Sequence, residues 1–174
     1  MQARDLTKMS LCVALCCVTA YISFPLPFTP GLVTALTFAL SLTAYLLPPK
    51  QTFAVVTIYI LLGAVGLPVF AGGQGLSRLV GPAGGFYFAW IPAYALLSLA
   101  KGAVPNFKRY LAANILIAVP ITYLGGLISM MLVLKVGVFE AAMMAVFPFI
   151  PGDIIKAAAA AVLGVKLQKN LERR

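Results

Sequence analysis

Apolar residues run through this chain in blocks, and the polar and helix-breaking residues are confined to the gaps between them. Six blocks stand out. They cover about Leu6 to Phe24, Leu32 to Leu47, Thr52 to Gly66, Phe86 to Ala100, Leu111 to Leu134 and Gly152 to Leu167. None alternates with the period of two that marks a half-buried strand, and their lengths suit helices. Pro120 inside the fifth block predicts a kink. A shorter stretch, Val138 to Phe147, reads as a small helix that feeds a break at Pro148–Pro151. Several blocks are shorter than the ~20 residues that a bilayer core asks of a helix.

Three of the gaps are rich in breakers: "FPLPFTPG" (Phe24–Gly31), "GLPVFAGGQGLSRLVGPAGG" (Gly66–Gly85) and "PFIPGD" (Pro148–Asp153). Irregular backbone near a membrane needs protein or a wet cavity around it, because lipid cannot satisfy its N–H and C=O groups. Composition makes the membrane reading firm. The 174 residues are 62% hydrophobic and only 10% charged, with a mean hydropathy of +1.02. That leaves no polar face large enough to cover a water-soluble core. The expected architecture is all-α: one bundle of six transmembrane helices over residues 1–174, with no second domain and no internal repeat.

The net charge of +9 does not point to nucleic acid, since the basic residues form no stripe and no stacking platform. With the N-terminus inside, ten of the thirteen basic residues fall in cytoplasmic segments. These are Arg4, Lys8, Lys50, Lys101, Lys108, Arg109, Lys166, Lys169, Arg173 and Arg174; only Arg78, Lys135 and Lys156 fall outside. This asymmetry predicts that both termini are cytoplasmic. It also places the three breaker-rich segments on the outer side, where they would border an outward-opening pocket. The first block runs into a Pro-rich stretch instead of a small-residue cleavage site, so it reads as a span and not a cleaved signal.

The chemistry available is narrow. The chain has no histidine and four acidic residues, so neither a metal site nor a catalytic residue is expected. Cys12, Cys16 and Cys17 lie together in an apolar span and read as packing residues. The glycine-rich gap lacks the Lys-Ser/Thr of a phosphate loop, so ATP is not expected to bind here. It reads as a capping loop, where Gln74 offers a donor and an acceptor and Arg78 a fork suited to a carboxylate. Arg78 could equally snorkel to headgroups. Phe70, Phe86, Tyr87, Phe88 and Trp90 cluster beside this loop and suit either pocket walls or an interfacial belt.

Asp153 and Lys156 stand three residues apart on one helix face. Asp153 in a first helical turn has a dipole-based reading. Lys156, however, precedes "AAAAAVLGV" and is seated toward the bundle, and an ionisable group within a membrane segment is a site candidate by default. The pair suits a small ligand that both donates and accepts hydrogen bonds. Small residues of the first block (Ser10, Ala14, Cys16 and Ala20) serve either internal packing or docking of another membrane protein.

The stretches "GLPVFAGGQG", "GPAGGF" and "PFIPGDIIK", with the "FPLPFTPG" that follows the first span, resemble the BioY family over essentially the whole chain. These are biotin-specific substrate-binding (S) components of energy-coupling factor transporters. Where the family often carries Thr in the second stretch, this chain has Ala83. The resemblance implies a six-helix protein of a prokaryotic cell membrane that binds biotin near its outer face, with Asp153 and Lys156 meeting the polar parts of the vitamin. It implies a loop after the third span that closes over the ligand. It further implies a transmembrane coupling subunit docked on some of Ser10, Ala14 and Ala20, and two ATPase subunits that alone use ATP. An S component for another small vitamin, a membrane-embedded enzyme and a structural subunit are the alternatives.

Overall fold

The computed structural model describes residues 3–27, 29–73 and 75–172, and of Glu172 the backbone alone. The chain opens with α1 (Ala3–Ala20) and then enters a hairpin of two short strands, β1 (Ser23–Pro25) and β2 (Leu32–Thr34). These pair antiparallel, with Phe24 opposite Val33. Helices α2 (Leu36–Leu46), α3 (Pro49–Ala64), α4 (Leu76–Val80) and α5 (Gly84–Ala100) follow. Next come α6 (Phe107–Ala113), a π-helical turn (Asn114–Ala118) and α7 (Val119–Leu134), which continue one another, then α8 (Val138–Ala145) and α9 (Ile150–Glu172).

The bundle is helical as expected, but the hairpin corrects the all-α reading. Pro25, Pro27 and Pro30 cannot continue α1, and the extended conformation that proline favours lets the flanking residues pair. The first helix therefore ends at Ala20 and the second begins at Leu36, where Thr34 Oγ1 accepts the Leu36 N–H at 3.2 Å. Pro48 closes α2, and Pro49 opens α3 at a first-turn position, where a missing N–H costs nothing. Likewise α9 begins at Ile150–Pro151, ahead of the expected Gly152. A short helix, α4, lies within the glycine-rich gap.

Pro120 acts differently from a simple kink. It has no N–H to offer the preceding turn, and the chain adopts a π turn just before it, where the Val119 N–H bonds to Asn114 O. Such turns rotate a side chain out of the regular helical register. Here Asn114 is 2% exposed. Its Nδ2 donates to Ser41 Oγ at 2.8 Å and to Tyr45 Oη at 3.1 Å, both on α2.

The molecule is apolar outside as well as inside. Leu11, Leu116 and Leu132 are 65%, 73% and 73% exposed, while Ser41, Thr43, Thr52 and Asn114 are buried. Water would not tolerate that surface, but hydrocarbon does. The helical run Phe107–Leu134 is long and apolar enough to cross a membrane alone, and α8 with α9 passes as a pair bent by 46°. Helices α2, α3 and α5 have 11, 16 and 17 residues. At ~1.5 Å per residue α2 is only about 17 Å long, well short of the ~30 Å of a bilayer's hydrocarbon core.

Two devices hold the core. Helices α5 and α7 cross backbone to backbone at Gly85 and Gly125, where a Cβ on either would strike the other's carbonyl. At the opposite end, Lys101 Nζ donates to the carbonyls of Ala44, Tyr45 and Leu47 at 2.9, 2.8 and 2.6 Å. Burial pushes this ammonium down to about 8. It is therefore still largely charged at neutral pH and serves the negative end of the α2 dipole.

Candidate functional site

The three breaker-rich segments converge on one cavity. Gly31, Leu32 and Thr34 come from the hairpin, Ala71, Arg78 and Ala83 from the glycine-rich gap, and Phe149, Asp153 and Lys156 from the start of α9. The helices add Thr37, Phe86, Tyr87, Trp90, Thr122 and Tyr123. The space open to the centre of a water molecule is about 60 Å3, where a single water needs about 10–15 Å3.

Asp153 and Lys156 form an ion pair at 2.6 Å in the wall of this cavity. Asp153 is 8% exposed. Its Oδ2 accepts from Tyr123 Oη at 2.8 Å on α7, and its Oδ1 accepts from Thr37 Oγ1 at 3.3 Å on α2. Lys156 Nζ also donates to the Thr34 carbonyl at 3.0 Å. Helix α9 already starts before Asp153, whose own N–H bonds to Phe149 O. The carboxylate thus faces side chains of other helices and does not act as an N-terminal cap. The pair is built into the bundle by three elements: α2, the end of β2 and α7.

Arg78 reaches the same cavity from α4, but its fork is directed differently from the sequence-based expectation. Nε and Nη2 both donate to the Ala71 carbonyl, at 3.0 and 2.8 Å, and Tyr87 lines the same cavity beside the guanidinium. Gly72 makes this possible. Its φ of +71° is glycine territory, and a Cβ there would meet Arg78 and Leu32. The fork thus ties the loop to itself and leaves Nη1 for a ligand.

Tyr87 and Trp90 line the cavity and pack on each other with ring centroids 4.7 Å apart. Phe70 stands behind them. It is 3% exposed, packs 4.5 Å from Tyr87 and seats its ring on Gly63, outside the cavity lining. Gln74 lies outside the described residues. On α1, Ser10 and Ala14 are exposed, but Ala20 is buried in the core on another face. Ala20 thus lies off the face that Ser10 and Ala14 share, and it is Val18 that continues the exposed four-residue stripe. Cys12 and Cys16 are buried packing residues. Among the described residues there is no group of His, Cys, Asp or Glu able to hold a metal.

Sequence reasoning missed Thr37, Thr34, Thr122 and Tyr123. A usable signal existed for the first of these: Thr37, Ser41 and Tyr45 recur every fourth residue on a helix whose remaining residues, Thr43 apart, are apolar. Among the described residues, Trp90 Nε1 and Thr122 Oγ1 are buried without a hydrogen-bond partner, and both residues line the cavity. A buried unpaired donor is costly, and an acceptor in the cavity is what Trp90 lacks.

Comparison with known proteins bears on the whole length of the chain. A probable biotin transporter BioY of Pyrococcus horikoshii is 37% identical over 171 residues, covering 98% of this chain and 99% of the relative. A biotin transporter BioY of Thermotoga maritima is 35% identical, covering 95% and 96%. A crystal structure of the S-component for biotin from an ECF-type ABC transporter superposes with a TM-score of 0.88 at 24% identity, covering 97% of this chain and 95% of its own. That last likeness concerns the fold. The BioY family profile matches residues 1–173. A match of that extent, with relatives similar from end to end, places the chain in the BioY family.

Proposed function

We propose that this chain captures biotin at the outer face of a prokaryotic cell membrane, as the S component of an energy-coupling factor transporter. The observation that carries the reading is the buried Asp153–Lys156 pair set in an aromatic-walled cavity. Biotin has a ureido ring that donates and accepts hydrogen bonds, an apolar bicycle and chain, and a carboxylate. Asp153 takes the ureido N–H groups and Lys156 the carbonyl side. Trp90 and Tyr87 wall the ring system, with Phe70 supporting Tyr87. The free edge of Arg78 meets the carboxylate, and Gln74 completes the loop that covers the ligand. Mostly apolar walls with a few placed polar groups suit a small ligand.

In this reading residues 1–174 form one domain of six spans, with α8 and α9 making the last, and both termini are cytoplasmic. The loop-charge asymmetry supports that orientation. The protein is not an enzyme and needs no cofactor. A transmembrane coupling subunit and two ATPase subunits supply the work, and lipid surrounds the bundle.

Labelled biotin titrated onto the purified protein in detergent tests the reading. One-to-one saturation by biotin, with no competition from excess thiamine or riboflavin, is expected. A well-folded protein that ignores biotin but saturates with another vitamin would transfer the proposal to that ligand. Docking is tested apart from capture. Ala14→Trp adds a large ring to the exposed face of α1 and is expected to leave biotin binding within about twofold. In cells that carry the energising subunits it is expected to lower biotin uptake by about tenfold or more, the loss of about 1.4 kcal/mol of association. Normal uptake by this variant would remove Ser10 and Ala14 from the docking surface.

A further inference from the structure

Behind the ion pair lies a second, smaller chamber. Its walls include Ser41, Tyr94, Asn114 and Ala157, and it shares Thr37, Thr122, Tyr123, Asp153 and Lys156 with the larger cavity. It offers about 10 Å3 to the centre of a water molecule, room for about one. Thr37, Ser41, Tyr94, Asn114, Thr122 and Asp153 set polar groups among its apolar walls, unlike the wholly apolar cavities that stay dry in protein cores. Thr122 is 4% exposed, and its hydroxyl has no partner among the described residues.

We propose that this chamber is a binding site for one water molecule, which joins Thr122 and the Asp153 carboxylate to the Ser41–Asn114 pair and so positions the substrate-binding ion pair from behind. The hydrogen-bond count closes. Thr122 Oγ1 donates to the water. The water donates one proton to Asp153 Oδ2, which has a lone pair left beside that used by Tyr123. Its other proton goes to Ser41 Oγ, which accepts from Asn114 Nδ2 and donates to the Thr37 carbonyl at 2.7 Å. Tyr94 Oη, whose own proton points to the Thr37 carbonyl at 3.5 Å, keeps lone pairs with which to accept. Three bonds are what a buried water typically makes. A sodium ion fits the oxygen donors but not the Lys156 ammonium in the same wall. The π turn before Pro120 has a role here, because it presents Asn114 to this chamber.

The proposal rests on the biotin reading only for its affinity arm, so the experiment has two readouts. The first is hydroxyl-radical footprinting by X-ray pulses on the full chain in detergent, without ligand, where a bound water labels the side chains beside it. Labelling of Tyr94, 3% exposed, is expected in the wild type and is expected to fall several-fold in Thr122→Val and Ala157→Val. The second is biotin titration. Thr122→Val is expected to bind about 3- to 10-fold more weakly, the loss of one hydrogen bond. Ala157→Ser places a hydroxyl where the water sits and is expected to stay near wild type, while Ala157→Val is expected to weaken binding. An unlabelled Tyr94 in the wild type overturns the proposal, as does an Ala157→Val protein that melts higher and binds as tightly. Labelling or affinity that changes when choline replaces sodium assigns the chamber to a cation and overturns it too. If the wild type binds no biotin, the footprint alone decides.

Discussion

Asp153→Asn is expected to weaken biotin binding by at least about 30-fold, corresponding to about 2 kcal/mol, the lower end of what removing one partner of a buried charge pair costs. The carboxylate accepts from three side chains on three helices: Lys156, Tyr123 and Thr37. An amide of the same shape keeps the volume but turns a donor toward one of them. It also leaves the Lys156 ammonium, 18% exposed at its side chain, without a countercharge. Removing both charges together in Asp153→Asn/Lys156→Met is expected to recover thermal stability without recovering affinity. Those two responses separate a ligand site from a structural ion pair. If binding survives the single substitution, or returns with the double one, the pair only holds α9 in place and biotin is recognised elsewhere. Equilibrium titration with labelled biotin, beside melting curves of each variant, reads both.

The second large effect is expected far from any charge. Gly125→Leu places a side chain where α5 and α7 meet, against Ala89 and the Gly85 carbonyl. In a membrane, helices associate through close packing and not through escape from water. The contact is backbone on backbone, so no rotamer change relieves it, and the two helices must separate. Overpacking of this kind costs up to about 3 kcal/mol. For a chain of this size that lowers the melting temperature by about 6–12 °C. Gly137→Ala serves as the control, since nothing lies within 4 Å of a Cβ there and its φ is ordinary. Melting of Gly125→Leu together with the control would show that the glycine crossing is not what holds the helices.

The sequence carried the site's outline well and its interior poorly. Proline and glycine mark the three outer segments because only they interrupt helices so abruptly, and those segments do meet around one cavity. Asp153 and Lys156 were visible because charge is rare in this chain. Thr37, Thr122 and Tyr123 were not, because a lone hydroxyl in an apolar helix has the same appearance whether it faces lipid, a neighbour or a ligand. The hairpin was hidden for a related reason, since proline signals the end of a helix but not which strand it will meet. Ala20 lies in the core and not on the face with Ser10 and Ala14, because small residues pack inside as readily as they face outward. Arg78 does line the cavity, but the Ala71 carbonyl that occupies its fork became available only through the turn at Gly72.

The bonds that close the site span almost the whole chain. Thr37 reaches Asp153 across 116 positions, Lys156 reaches Thr34 across 122, and Thr29 reaches the Met144 carbonyl across 115. During synthesis the first partner of each bond is in the membrane long before the second leaves the ribosome. A shorter nascent chain lacks these bonds, and the cavity is closed only when the last helix packs. In the proposed reading biotin capture is therefore a report on the end of biogenesis: a bundle that binds is one whose final helix has been seated.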